Sequence, residues 1–462
     1  MGAKRQKTRQ LELAFPSESR GEAPMAGGRG AEAPAAGRGA EGPADTAWLM
    51  EEVCQAANVR KAYQAVRANR GSAGIDGMTV EALLGYLRAH WREIREQLLA
   101  GTYRPQAVRR VEIPKPGGGV RKLGIPTVLD RFIQQAVLQV LQRQWDRTFS
   151  EHSYGFRPGR SAHQAVARAQ EYVRGGCRWV VDVDLEKFFD RVNHDVLMGR
   201  VAKRVRDKRV LRLLRACLEA GVLEDGLVSP TTEGTPQGGP LSPLLSNLLL
   251  DDLDRELERR GLSFVRYADD CNVYVRSRRA GGRVMAGIRR YLERRLKLRV
   301  NESKSAVARP WERKFLGFSF TRHFEPKRRL APQTLERFRD RVRDLTGRNR
   351  GVSLPQRLRT LTRYLLGWRG YFGYCETPAV LGGLDKWVRR RLRSVLWKQW
   401  RHAKCRYREL RKRDVNRDLA ARTAHSRHGP WRLSDSPALH YALPDTYFAG
   451  LGLPTLTAGA TA

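Results

Sequence analysis

The stretch that most constrains this chain is FVRYADDCNVYV, Phe264 to Val275, in which Asp269 and Asp270 stand side by side between two apolar runs. The runs alternate as strands do and are expected to pair as a hairpin. Along one strand, neighbouring side chains point to opposite faces, so two adjacent acids can serve one ligand only where the chain turns. A hairpin tip is such a place. Asp also suits a tight turn for local reasons, because its short side chain hydrogen-bonds its own backbone. Alone, the motif therefore says hairpin. A chemical role needs a third acid and a surface for a polyanion.

A third acid is present. RWVVDVDLEKFFDRVNHD, Arg178 to Asp195, reads as a strand with Asp182 and Asp184 on one face and Val181, Val183 and Leu185 on the other, and Phe188 and Phe189 follow it. Phosphoryl transfer to a nucleic acid uses two divalent ions, one activating the attacking hydroxyl and one steadying the leaving group. Mg²⁺ takes oxygen ligands, commonly a few carboxylates. Asp184, Asp269 and Asp270 form such a set if their strands are neighbours, and bound metal cancels their repulsion.

VRRVEIPKPGGGVRKLGIP, Val108 to Pro126, reads as strand, glycine-rich turn and strand. It places Arg109, Lys115 and Arg121 to clamp a triphosphate, although a solvated basic hairpin would look the same. Lys304 follows a helix and is a candidate general acid for departing pyrophosphate, or a partner for the helix's C-terminal dipole.

The surface for a polyanion is also implied. Lys and Arg number 87 against 48 Asp and Glu, a net charge of +39, and the basic residues recur along the chain. Such a field calls for nucleic acid. A membrane partner would want an apolar span of about 18 residues, and the chain has no such run. The six cysteines include no CxxC pair, which speaks against a zinc module and for a reducing, cytoplasmic setting.

Residues 1–46, rich in Ala, Gly, Glu, Pro and Arg with GRGAE occurring twice, are expected to form a disordered tail. Residues 47–330 mix helices, strands and hairpins, which suggests an α+β fold whose sheet is covered by helices on one side. Residues 331–415 carry apolar positions at helical spacing, such as Leu384, Val388, Leu392 and Val395, among many basic ones, so an all-α basic domain is expected. Residues 416–462 hold aromatics and prolines and are expected to pack on something, with no role assigned.

These blocks carry a family resemblance. YADD at 267–270, TPQGGPLSPLLSN from Thr235, SYGFRPGRSAHQA from Ser153, DLEKFFD from Asp184 and IPKPGGGVRKLGIP from Ile113 occur in the order found in group II intron-encoded reverse transcriptases, or maturases, of bacterial type. The resemblance implies a right-hand polymerase, with fingers and a palm built on an antiparallel sheet, followed by a helical thumb or maturase X domain. In that reading Asp184, Asp269 and Asp270 are catalytic metal ligands, with the carbonyl of Leu185 as a further one, and Lys304 is the general acid. NESKS around Lys304 departs from the family's commoner NPEKT. Phe189 matches the aromatic beneath the incoming sugar and favours dNTPs, and Gln237 matches a nucleotide-contacting residue.

Two Mg²⁺ ions, with Mn²⁺ as a substitute, are implied as cofactors. Intron RNA, an RNA template with DNA primer, dNTPs and target DNA are the implied partners. Arg363, Arg369, Arg389, Arg390 and Arg393 are candidate RNA contacts, while Trp368, Trp387 and Trp397 have spacing that suits the core. Asp182 is expected to be structural. The Cys and His pairs of an HNH nuclease, found in fuller members of the family, are not seen, so a built-in second-strand nick is not expected.

A different class of function competes with this one: a non-catalytic splicing maturase on a polymerase scaffold. The retained acids, Phe189 and basic hairpin argue against it, since RNA binding alone has no use for them. An RNA-dependent RNA polymerase is disfavoured by Phe189.

Overall fold

Alternating apolar residues on either side of the acids do pair, and they build the centre of the molecule. The computed structural model describes residues 46–114, 119–224, 227–229, 233–235 and 238–457. Its strands are β1 Val108–Pro114, β2 Val120–Ile125, β3 Trp179–Val183, β4 Val222–Glu224, β5 Leu227–Ser229, β6 Ser263–Tyr267, β7 Asp270–Val275, β8 Ala306–Ala308, β9 Phe318–Phe320 and β10 Arg328–Leu330. The central sheet has the order β6-β7-β3-β8, and every neighbour in it is antiparallel. A second sheet, β2-β1-β4-β5, carries the basic hairpin, and β9 and β10 form a separate pair.

The central sheet is apolar on both faces, so the expectation of helices on one side is corrected. Val181, Val183, Phe264, Cys271, Val273 and Val275 lie in one core with Leu245, Leu248 and Leu249 of helix Ser242–Arg259 and with Ile288 of helix Arg278–Tyr291. On the opposite face, Val180, Val265 and Tyr274 join Ala165, Val166, Ala169 and Val173 of helix Ala162–Arg174. That helix starts with a capping box, in which the Ser161 side chain accepts from the Gln164 amide and Gln164 reaches back. Each fully buried Val or Leu here contributes about 1.5–3 kcal/mol.

This second core runs on without a break into the C-terminal helices. Leu361 and Trp368 of helix Leu354–Phe372, and Leu384, Leu392 and Trp397 of helix Pro378–Gln399, belong to it, together with Leu439, Leu443, Phe448 and Leu456. Trp368 and Trp397 are buried as expected, and Trp387 is half-buried. Among the described residues, the chain beyond Val415 forms four short helices, Arg417–Ala424, Pro430–Leu433, Pro437–Ala442 and Asp445–Gly450, folded onto helix Pro378–Gln399. The tail expected at 1–46 lies outside the described residues, save Thr46.

Candidate active site

Register decides which acids meet. In β3 and β7, Val180 pairs with Tyr274, Asp182 with Asn272 and Val183 with Cys271. Two residues further along the same face, Asp184 comes level with Asp270, the first residue of β7. Helix Ala162–Arg174 covers this face at Val180 and Tyr274, and the face ends in acids. The turn of the hairpin is Ala268–Asp269, closed by the Tyr267–Asp270 pair, with Ala268 in the left-handed region at φ +57°. The tip therefore sits one residue earlier than the two acids suggest, which lets Asp269 reach in from the turn beside strand residue Asp270.

Like charges crowd there. The protein around Asp270, then Asp269, Asp182 and Asp184, push its pKa up from the ordinary 3.8 to about 7, although its side chain still meets solvent. Asp269 is raised too, by burial and by Asp184, with Arg121 opposing. Among the described residues, no three His, Cys, Asp or Glu side chains converge closely enough to hold an ion as they stand. Clustered carboxylates repel one another, and a bound cation turns that repulsion into attraction.

The segment after Leu298 pins Asp184. Asn301 N–H donates to the Asp184 carbonyl at 2.8 Å, and Glu186 N–H donates to the Arg299 carbonyl at 2.9 Å. These bonds flank the Leu185–Val300 pair, a pattern that turns Leu185's own carbonyl away from Val300. The Asp184 amide donates to Ser305 Oγ at 3.0 Å. Lys304 Nζ, largely exposed, stands 3.6 Å from Asp184 Oδ1. Asp182, although its charge also bears on Asp270, has partners of its own: Arg313 Nη2 reaches its Oδ2 at 2.6 Å, and Asn272, oriented to donate, reaches its Oδ1 at 2.9 Å.

Phe189 lies in the turn Phe188–Asp190 after β3, half-buried, its ring 5.1 Å from that of Phe188 in an edge contact. Its carbonyl accepts from Thr235 N–H at 2.7 Å. Gly234, at φ +95°, makes this approach possible, because a Cβ there would stand 2.9 Å from the Phe189 carbonyl oxygen. Gln237 and Lys115 lie outside the described residues. Arg109 and Arg121 fall on the same face of the β1–β2 hairpin, since Arg109 is opposite Ile125 and Arg121 opposite Ile113. The other face carries Arg110 and Lys122, which are paired with Glu224 and, for Lys122, Glu112.

Other residues behind the site gave no motif in the sequence. Arg266, wholly buried, clamps Asp254 through Nε to Oδ1 at 2.7 Å and donates from Nη1 to Asn247 Oδ1 and to the Ala268 carbonyl, each at 2.9 Å. The turn that carries Asp269 is thus fastened to helix Ser242–Arg259. Gly155 presses on the same turn, where a Cβ would meet Ala268 N at 2.3 Å. A signal for Arg266 was available: it shares the apolar face of β6 with Phe264, and an Arg there needs a buried acid. Lys314, exposed, opposes the rise in pKa at Asp270 and Asp182.

The candidate RNA contacts divide. Arg363 is exposed. Arg389 and Arg393 are each only 4% exposed, which corrects the expectation that they face RNA. Arg393 donates to the Leu443 carbonyl at 2.9 Å and pairs with Asp445 at 3.1 Å, while Arg389 lies 3.6 Å from Asp385 and 3.5 Å from Asp445. Arg390 stacks over Trp431 at 4.3 Å and pairs with Asp435, and Arg369 donates to the Thr455 carbonyl at 3.0 Å. The segment after Val415 takes up these four arginines.

An antiparallel sheet backed by helices, with acids gathered at one end and a basic hairpin sheet beside it, defines the palm and fingers of a right-hand polymerase. Residues 113–320 match the family described as reverse transcriptase (RNA-dependent DNA polymerase), and residues 335–413 match the group II intron maturase-specific domain. The chain is 34% identical over 301 residues to protein YkfC of Escherichia coli (strain K12), covering 56% of this chain and 78% of that protein. It is 38% identical over 206 residues to the group II intron-encoded protein LtrA of Lactococcus lactis subsp. cremoris, covering 44% of this chain and 34% of LtrA. It is 29% identical over 177 residues to nuclear intron maturase 2, mitochondrial, of Arabidopsis thaliana, covering 30% of this chain and 24% of that protein. This chain belongs to the group II intron reverse transcriptase and maturase family. Among the described residues, no helix is long and apolar enough to cross a membrane.

Proposed function

We propose that the protein is an active RNA-directed DNA polymerase that copies intron RNA and also binds that RNA to assist its splicing and mobility. The observation that carries this reading is the β3–β7 register, which sets Asp184 level with Asp270 and brings Asp269 in from the turn. A protein that only bound RNA would have no use for acids gathered at one end of the sheet, where their charges raise one another's pKa.

The donor set suits hard divalent ions: carboxylates of Asp184, Asp269 and Asp270 and, from the resemblance, the Leu185 carbonyl. Two Mg²⁺ ions, or Mn²⁺ in their place, would when bound supply Lewis-acid activation of the primer 3′-hydroxyl and charge neutralisation for the leaving pyrophosphate. Arg121, whose charge already bears on Asp269, and Arg109 on the same hairpin face would grip the triphosphate; Lys115 and Gln237 remain part of this proposal from the resemblance. Phe189 would sit under the incoming sugar and exclude a 2′-hydroxyl. Lys304, beside Asp184, would deliver a proton to the departing pyrophosphate.

RNA template with DNA primer, dNTPs and target DNA are the partners of this reading, in the cytoplasm of a bacterial cell. The deciding experiment is Mg²⁺-dependent dNTP incorporation on an RNA template with an annealed DNA primer, comparing wild type with Asp269→Ala. Incorporation abolished in the variant supports the proposal. A wild-type protein that binds intron RNA tightly yet incorporates nothing overturns it in favour of a splicing-only maturase.

A further inference from the structure

Beside the acid cluster stands a residue that none of these roles uses. Phe156, in SYGFRPG, is left-handed at φ +56°, where a bulky residue is rare and strained. The residue is 53% exposed, and its ring lies 6.3 Å from that of Tyr267, the residue paired with Asp270.

A single exposed aromatic is ordinary on a protein surface. What sets Phe156 apart is how firmly its backbone is held in a costly shape. Before it, Tyr154 N–H donates to the Arg266 carbonyl at 2.9 Å, and Asn247 donates to the Gly155 carbonyl at 2.8 Å. At the residue itself, Gln142 donates to the Phe156 carbonyl. After it, Arg157 is buried and spends its guanidinium on Asp146 and on the carbonyls of Ser150 and Ser153. Gly155 lies against Ala268 with no room for a side chain between loop and turn. The backbone is thus locked to the Asp269 turn, while the ring is left open to solvent.

We propose that Phe156 is a binding residue that stacks on a nucleobase at the end of the primer–template duplex, beside the hairpin that carries Asp269 and Asp270. The proposal rests on the polymerase reading above and adds a contact to it. The occupant follows from the position: the strand to be extended must end at the acids, the chain's charge of +39 suits a polyanion, and the ring beside Tyr267 offers that strand an apolar flat surface. Every base has a π-face, so such a contact holds the duplex end whatever its sequence. The strained φ aims the ring, and the pinned loop keeps it from folding away.

The test uses the full chain, without dNTPs, and an RNA–DNA duplex carrying 2-aminopurine in its terminal pair. Wild type is expected to quench the probe on binding. Phe156→Ala should bind roughly tenfold more weakly and lose the quenching, while Phe156→Tyr stays within about twofold of wild type. Phe156→Gly relieves the backbone strain and still lacks the ring, so it should be as stable as wild type or more so and as weak in binding as Phe156→Ala. The proposal is overturned if Ala and Gly variants bind and quench like wild type, or if Tyr fails as badly as Ala. It is overturned equally if the variants change only self-association in sedimentation, which would make the ring a contact between copies. Ring-dependent quenching in a wild type that incorporates no dNTP would sink the polymerase reading and leave this one standing.

Discussion

Arg266 and Asp254 form a wholly buried ion pair, Nη2 to Oδ2 at 2.5 Å, on the back of the sheet that carries the acids. The same guanidinium donates to the Ala268 carbonyl, so one side chain both satisfies a buried charge and fastens the turn. Removing one partner of a buried pair strands the other charge, whereas removing both with apolar groups can be neutral. Arg266→Met should cost about 3–5 kcal/mol in urea unfolding. Arg266→Met with Asp254→Leu should recover most of that stability. It should not recover dNTP incorporation, because Ala268 has still lost its donor. Full activity in the stable double variant would show that the turn needs no fastening.

Asp182 on β3 and Asp184 just past its end point to one face two residues apart, and the structure gives them different work. Asp182 is bound to Arg313 and Asn272, whereas Asp184 faces Asp270 and Lys304. Asp182→Asn should keep incorporation within about tenfold of wild type. Asp184→Asn should lose about a thousandfold, the rate equivalent of several kcal/mol of charge stabilisation. Steady-state incorporation on one primer–template measures both, and an Asp182→Asn protein as inactive as Asp184→Asn would place Asp182 among the metal ligands.

The raised pKa of Asp270 makes metal-free stability depend on pH. An acid that holds its proton more tightly when folded favours the fold at low pH, and that advantage fades as pH climbs from 3.8 to about 7. The side chain meets solvent, so screening shrinks the effect without changing its sign. In EDTA, the Tm of wild type should therefore fall more between about pH 5 and pH 7 than that of Asp270→Asn. Adding Mg²⁺ at neutral pH should raise the wild-type Tm and leave the variant nearly unmoved. Parallel Tm profiles for the two proteins would mean that Asp270 titrates normally.

Phe189 supplies a prediction about the sugar. With its ring half-buried against Phe188 and its carbonyl bound to Thr235 N–H, its position is set by the fold. Phe189→Ala should raise rNTP use relative to dNTP use by about ten- to a hundredfold, the range a shape-selecting pocket commands. Competition between matched rNTP and dNTP measures it directly. Unchanged sugar discrimination would remove Phe189 as the gate.

The acids were legible in the sequence because two local rules sufficed: period-two alternation put Asp184 at a strand end, and a polar pair between strands meant a turn. The exact turn was not legible, since choosing Ala268–Asp269 over the acid pair depends on which residues close it. Arg266 carried a signal, a charge on an apolar strand face, but its partner did not, because Asp254 sits on a helix that reads as ordinary amphipathic sequence. Arg389 and Arg393 misled for the opposite reason. Charge at a helical position normally means solvent; Arg389 has the buried Asp385 one helical turn before it, but Asp445, which pairs with both arginines, follows from no pattern near them. Long-range pairing of single residues leaves no period in a sequence. The one-sided sheet failed likewise: helix Ala162–Arg174 was not recognised as a cover for Val180 and Tyr274.

The same burial separates two kinds of arginine by experiment. Arg363 is exposed on helix Leu354–Phe372, whereas Arg393 is enclosed with Leu443 and Asp445. A phosphate contact contributes counterion release, so losing one lowers the slope of log K against log salt by roughly 0.7–0.9. Arg363→Ala should weaken intron RNA binding with about that change in slope and leave the Tm alone. Arg393→Ala should lower the Tm by several degrees, because Asp445 and the Leu443 carbonyl lose a buried donor, and leave the slope of the folded fraction unchanged. Binding titrations at three or four salt concentrations, beside a thermal melt, distinguish the two. A salt slope that drops for Arg393→Ala at constant Tm would mean that the C-terminal segment lifts away and exposes that arginine to RNA.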